Sequence, residues 1–278
     1  AYLLLAFSTG VRMDMAVPFG ALAVFMVLAQ PRHRARHLLV APLILAAFVV
    51  PQFLLGHWYY GQWLPNTYAL KMEGSPLVER VTHGLEIATR FMVRTGLLPL
   101  GIFLFRRDRA VRLLAWLFAA QMLYSIWVGG DAWEHYGGAN RYVSLAMPLL
   151  FVLLWLTLRA FYGWLVATAR PGGPDPRAVR WGFAALVAFL FAATNYTYGT
   201  GAWKEWLLLE PSLYSGENGM KVREALLLDA LTTPNATVGL AGAGIVPYFA
   251  DRPYVDLLGK KDPVIAHLPM DETHIPEF

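Results

Sequence analysis

With 278 residues, 57% of them hydrophobic and 15% charged, the chain has the composition of a polytopic membrane protein and not of a soluble domain. Its mean hydropathy is +0.44, and several apolar runs reach the ~20 residues that cross a bilayer. The formal net charge of +4 sits in short loops, which excludes a nucleic-acid footprint, and the lack of cysteine excludes disulfides and thiolate-bound metals.

Residues 1–7 read as the end of a membrane helix, with no initiator Met and no basic leader, so a further helix is expected upstream. A short polar break at 8–14 carries Arg12 and Asp14, and 15–30 is a second apolar run. A basic loop follows at 31–37, then a span at 38–56 that ends in the aromatic-rich stretch 57–68. In 75–94, Glu79, Glu86, Arg90 and Arg94 fall at helical spacing, which predicts an amphipathic helix lying at the membrane interface. The run 95–105 leads into Arg106, Arg107 and Arg109, and spans are expected at 110–128 and 142–158. Arg159 is placed to snorkel at the end of the second of these. A Pro/Gly-rich basic loop at 169–180 precedes a last span at 181–198.

The loops 31–37, 106–112 and 170–180 hold three, four and three arginines. By the positive-inside rule these loops are cytoplasmic. The polar stretches 8–14, 57–74, 129–141 and everything after 199 then fall outside. The expected organisation is a transmembrane helical domain over 1–198 and an extracytoplasmic tail over 199–278. The tail has ordinary soluble composition, with a helix predicted at 220–231 and strands at 236–241 and 252–257, a small α/β module. Its glycines at 239, 242 and 244 do not form the dinucleotide spacing, because Pro247 stands where a third glycine would help packing, so a tight turn is expected. Asp256, Asp262 and His267 are read as turn caps and a surface histidine, with a metal or acid–base set as the alternative.

The densest chemistry lies between two long apolar runs, at 128–148. Asp131, Glu134, His135, Asn140 and Arg141 stand within eleven residues, flanked by Gly129-Gly130 and Gly137-Gly138. Ionisable groups so placed beside a membrane mark a candidate site, and the glycine pairs suit hinges of a closing loop. A solvated connecting loop is the alternative. Asp131 and Glu134 are the candidate catalytic carboxylates. Asp131 suits orienting an acceptor hydroxyl or a divalent cation; no cofactor is otherwise assigned. Arg141 has the fork that binds a phosphate at two points, with His135 and Asn140 as neighbouring binding groups. Tyr59, Tyr60 and Asn66 form either an aromatic belt or a platform for a sugar or lipid, and Lys71 can meet a phosphate as a point charge.

Four segments carry a resemblance. Tyr59-Tyr60-Gly61, then Leu64-Pro65-Asn66-Thr67 and Lys71, resemble a segment of bacterial integral-membrane GT-C glycosyltransferases, the arabinofuranosyltransferase-like enzymes of cell-wall assembly among them. Gly129-Gly130-Asp131 with Arg141 and Pro148 is similar to a second segment, and 9–14 with Arg12 and Asp14 to a third. Residues 243–248 with 256–262 and 265–267 resemble their extracytoplasmic tail. The resemblance implies a GT-C-like α-helical membrane fold in the plasma membrane. It also implies transfer of a sugar from a polyprenyl-phosphate donor to a glycan or lipid acceptor on the outer face, with inversion. The catalytic acid of such enzymes lies in an earlier loop, so the stretch is expected to be their later part. A transporter or flippase for a lipid-linked sugar, or a non-catalytic scaffold, are the other classes. The ionisable groups in the predicted spans cluster at one end, without the midplane pair a transporter needs.

Overall fold

Apolar runs fold as α-helices, the conformation in which each segment pairs its own backbone N–H and C=O groups without water. The computed structural model describes residues 1–72, 76–93, 97–130, 140–168, 175–198, 204–205, 207–211, 213–241 and 244–268. In chain order the helices are α1 (Tyr2–Ser8), α2 (Ala16–Ala29), α3 (Arg34–Tyr60), α4 (Asn66–Met72), α5 (Leu77–Phe91), α6 (Leu97–Leu100) and α7 (Arg109–Val128). Then come α8 (Arg141–Ser144), α9 (Met147–Thr168), α10 (Pro176–Tyr198), α11 (Leu213–Leu231), α12 (Ile245–Phe249) and α13 (Pro263–Ala266). Two strands, β1 (Val238–Leu240) and β2 (Tyr254–Asp256), complete the set.

Among the described residues, three helices are long and apolar enough to cross a membrane: Pro31–Tyr60, Arg109–Val128 and Met147–Thr168. The chain is an α-helical membrane protein with a small strand-bearing region at its C-terminal end. Some expected runs have other bounds. The run 15–30 forms α2, a shorter apolar helix that continues a 3₁₀ turn at Met13–Met15. Gln30 precedes Pro31, which disfavours helical backbone there, and the helix stops. The span expected at 142–158 lies instead at Met147–Thr168, with α8 a separate turn ahead of it. Pro148 sits in the first turn of α9, where a missing N–H costs nothing. Arg159 is therefore inside α9 and not at its end, and its guanidinium lies 5.2 Å from the Trp155 ring. The run 95–105 is also broken, into α6 and a 3₁₀ turn at Gly101–Leu104.

Contacts divide the chain into Ala1–Tyr59 with Val78–Tyr198, and Tyr60–Leu77 with Gly199–Phe278. In the first unit, Phe118 and Met122 of α7 pack with Ala88 and Phe91 of α5 and with Val143, Ala146 and Leu150. The amphipathic helix expected at 75–94 thus forms, but it buries Gly84, Ala88 and Phe91 in protein. At Gly84 the two backbones touch: a Cβ there would stand 2.8 Å from Ile126 Cα. Asp108 caps α7, accepting from the N–H groups of Ala110 and Val111 at 3.0 and 3.1 Å. The bond from Val111 holds its carboxyl below the usual range, with the Arg106 pair adding to it.

Arg109 at the start of α7 reaches Met26 Sδ near the end of α2, at 4.0 Å. Phe183 of α10 packs on Phe161 and Tyr162 toward the end of α9. The starts of α3, α7 and α10, which carry the arginines, therefore share one end of this unit. Arg12, Asp14, Asn140 and Arg141 belong to the other end.

In the second unit β1 and β2 pair in parallel, Val238 beside Tyr254 and Leu240 beside Asp256, with α12 as the crossover. Ala225 of α11 is buried against Val246 and Ala250. The helix expected at 220–231 begins earlier, at Leu213. Residues 60–77, assigned from sequence to the membrane domain over 1–198, group with the tail: α4 packs on α13, and Asn66 Nδ2 donates to Lys260 O at 3.5 Å.

Candidate functional site

The site is built on the polar break before α2 and on the end of α7. Arg12 grips Asp14 at two points, Nε to Oδ1 at 3.0 Å and Nη2 to Oδ2 at 2.5 Å. The Asp14 side chain is 9% exposed and the Arg12 side chain 35%. The hydrogen bond to Asp14 raises the Arg12 pKa above its ordinary value.

α7 ends where Gly129 takes φ +86, followed by Gly130 at φ +82. Their N–H groups bond the carbonyl of Ser125, at 3.2 and 3.1 Å, the left-handed helix stop that glycine supplies without strain. This first glycine pair thus caps α7. Arg80 of α5 lies against Gly129 and donates from Nε to Trp127 O at 3.0 Å. Asp131, Glu134 and His135, with the second glycine pair, lie outside the described residues.

Asn140 is reassigned by its contacts. Its Oδ1 accepts from the N–H groups of Tyr142 and Val143, both at 3.1 Å, and its Nδ2 donates to Ser125 Oγ at 2.9 Å. Gln121 Nε2 donates to Tyr142 O at 2.8 Å. All five residues are buried. Asn140, expected to bind substrate, instead caps α8 and clasps it to α7, because the first N–H groups of a helix need an acceptor.

That clasp sets Arg141 and Tyr142. Arg141 is exposed, and its guanidinium stands 5.2 Å from the Tyr142 ring, with Nη2 donating to the Tyr142 hydroxyl at 3.3 Å. Tyr142 meets Tyr124 edge-on with centroids 5.7 Å apart. Tyr124 lies within electrostatic reach of Arg12, Asp14, Arg141 and Tyr142. Three expected residues, Arg12, Asp14 and Arg141, therefore converge around two tyrosines that sequence reasoning passed over. Their signal was present: Gln121, Tyr124 and Ser125 put polar atoms on one face of an otherwise apolar helix. The arrangement offers a fork for a phosphate, aromatic surface for a sugar and a paired carboxylate.

The other expected residues lie elsewhere in the chain's two units. Tyr59 and Tyr60 occupy the last turn of α3 and are exposed. Asn66 opens α4, and Lys71 stands in its last turn. In the tail, Asp256 is buried and accepts from Leu258 N at 3.1 Å and Lys261 N at 2.8 Å. Asp262 caps α13, and His267 Nδ1 bonds Pro263 O at 2.8 Å. These are the turn-capping roles read from the sequence. Among the described residues, no three His, Asp or Glu side chains cluster as metal ligands.

No curated protein and no solved structure matches the chain. Residues 213–278, which hold α11, both strands, α12 and α13, match the family described as a domain of unknown function (DUF8728).

Proposed function

We propose that the chain is part of a GT-C-like membrane glycosyltransferase that transfers a sugar from a polyprenyl-phosphate donor to a cell-envelope acceptor. The observation carrying this reading is the convergence of Arg12, Asp14 and Arg141 around Tyr124 and Tyr142. Two of the segments that resemble such enzymes, over a hundred residues apart, supply these charges. They lie at the end of the helices opposite the arginine-bearing starts, which under the positive-inside rule supports an extracytoplasmic reaction.

In this reading Arg141 binds the donor phosphate through its fork, and the charge that develops on the leaving phosphate is stabilised there. The tyrosines offer faces and hydroxyls to the sugar. A carboxylate takes the proton of the acceptor hydroxyl as its oxygen attacks the anomeric carbon, and the bond from that carbon to the phosphate oxygen breaks with inversion. Arg12 holds Asp14 in place through its two-point hydrogen bond. Asp131 and Glu134 remain the candidate bases of the chain.

The test is transfer from a radiolabelled polyprenyl-phosphate sugar by the full-length protein in liposomes. Arg141→Lys is expected to lower transfer about tenfold or more, because an ammonium cannot reproduce a two-point charged hydrogen bond. Near wild-type transfer by Arg141→Lys overturns the assignment of Arg141. Lipid movement across the bilayer without product favours a flippase.

A further inference from the structure

In the first unit, an apolar groove of about 670 Å³ lies between α9 and the α6 segment with its following turn. That volume is within the ~300–1,000 Å³ of sites that hold small molecules. Leu98, Leu104 and Phe105 form one wall, and Leu158, Phe161 and Trp164 the other. The floor is closed where Thr157 Oγ1 donates to Pro99 O at 2.8 Å and Gly101 backs onto the Thr157 methyl.

The rim of this groove is cationic. Phe105 is followed directly by Arg106 and Arg107, and 106–112 holds four arginines against one acid, Asp108. The carboxylate of Asp108 is already shared between Arg106 and the first N–H groups of α7. Arg107 donates from Nε to Phe103 O at 3.1 Å, which folds its side chain back over the turn that bounds the groove. Trp164, one turn from the end of α9, stands at the same level, the depth at which tryptophan meets lipid headgroups.

An apolar slot under a positive rim fits a ligand with a fatty chain and an anionic head. We propose that the groove holds an acyl chain of an anionic phospholipid from the surrounding bilayer, with its phosphate on Arg106 and Arg107. A zwitterionic lipid brings its own cation to the same rim and gains less, by on the order of fivefold per arginine. The groove is at the end opposite Arg12, Asp14 and Arg141, so this assignment stands apart from the glycosyltransferase reading.

The test uses the full-length protein in phosphatidylcholine nanodiscs that contain a minor fraction of lipid with brominated chains, carried either by phosphatidylglycerol or by phosphatidylcholine. Quenching of Trp164 is read as the difference between the wild type and Trp164→Phe. At equal mole fraction, brominated phosphatidylglycerol is expected to quench several-fold more effectively. Arg106→Gln with Arg107→Gln, both on exposed side chains, should remove that preference and leave the phosphatidylcholine level of quenching. Retained phosphatidylglycerol counted by native mass spectrometry should fall in the same pair, a readout that does not depend on Trp164. Equal quenching by the two headgroups reduces the groove to ordinary boundary lipid and overturns the proposal. No quenching by either shows it filled by protein and overturns it as well, as does a preference that survives the arginine substitutions.

Discussion

Gly84 and Gly56 are both helical glycines, yet their surroundings make opposite demands. Gly84 lies backbone to backbone against Ile126, so any side chain forces α5 away from α7, whereas a Cβ on Gly56 meets nothing within 4 Å. Gly84→Ala is expected to destabilise the protein by about 1–3 kcal/mol, the usual cost of overpacking a tight contact. Gly56→Ala should be neutral or stabilise slightly, since alanine is favoured over glycine in a helix by about 1 kcal/mol. Thermal unfolding in detergent, followed by helical circular dichroism, compares the two; equal midpoints would mean that α5 does not depend on its contact with α7. The same contrast holds for the charged residues of the site. Arg12 and Asp14 satisfy each other at two points, while Arg141 leans on a tyrosine face and is exposed.

Between elements, the Asn140 clasp is what joins α7 to α8. Asn140→Ala removes an N-cap, worth about 1 kcal/mol, and leaves the buried Ser125 hydroxyl without its amide donor, a further ~1–3 kcal/mol. Asn140→Asp keeps an acceptor for the two N–H groups but loses the donor to Ser125. The expected order of melting midpoints is wild type, then Asp, then Ala. A wild-type midpoint in Asn140→Ala would show that α8 is held by its packing alone, through Val143 and Ala146. In the tail, a parallel pair of three-residue strands is too small to persist without cover. α11 and α12 supply that cover through Ala225, Val246 and Ala250.

For the molecule as a whole, the shared end of the arginine-bearing helix starts gives the orientation a direct check. The chain has no cysteine, so single cysteines at Ala35 and Ser215 report cleanly. An impermeant thiol reagent added to intact cells is expected to label the Ser215→Cys protein and to reach Ala35→Cys only after permeabilisation. Labelling of Ala35→Cys on intact cells would overturn the sidedness assigned to the arginine-bearing loops and to the site.

Much of the architecture is written in local pattern. Apolar runs and their arginine flanks foretold helices and a common basic end, because a backbone in lipid has few ways to bond itself and arginine avoids crossing. Alternation and turn residues likewise foretold both strands. The long-range pairings had no such signal. That α4 joins the tail through Asn66 and Lys260, and that Arg12 and Asp14 come within electrostatic reach of Tyr124, depends on packing between residues 110 to 194 positions apart. Nor could composition separate the roles of Asn140 and Arg141, adjacent polar residues in one loop. The amide caps the N–H groups of Tyr142 and Val143, the guanidinium lies over the Tyr142 ring, and the position of α7 decides between them.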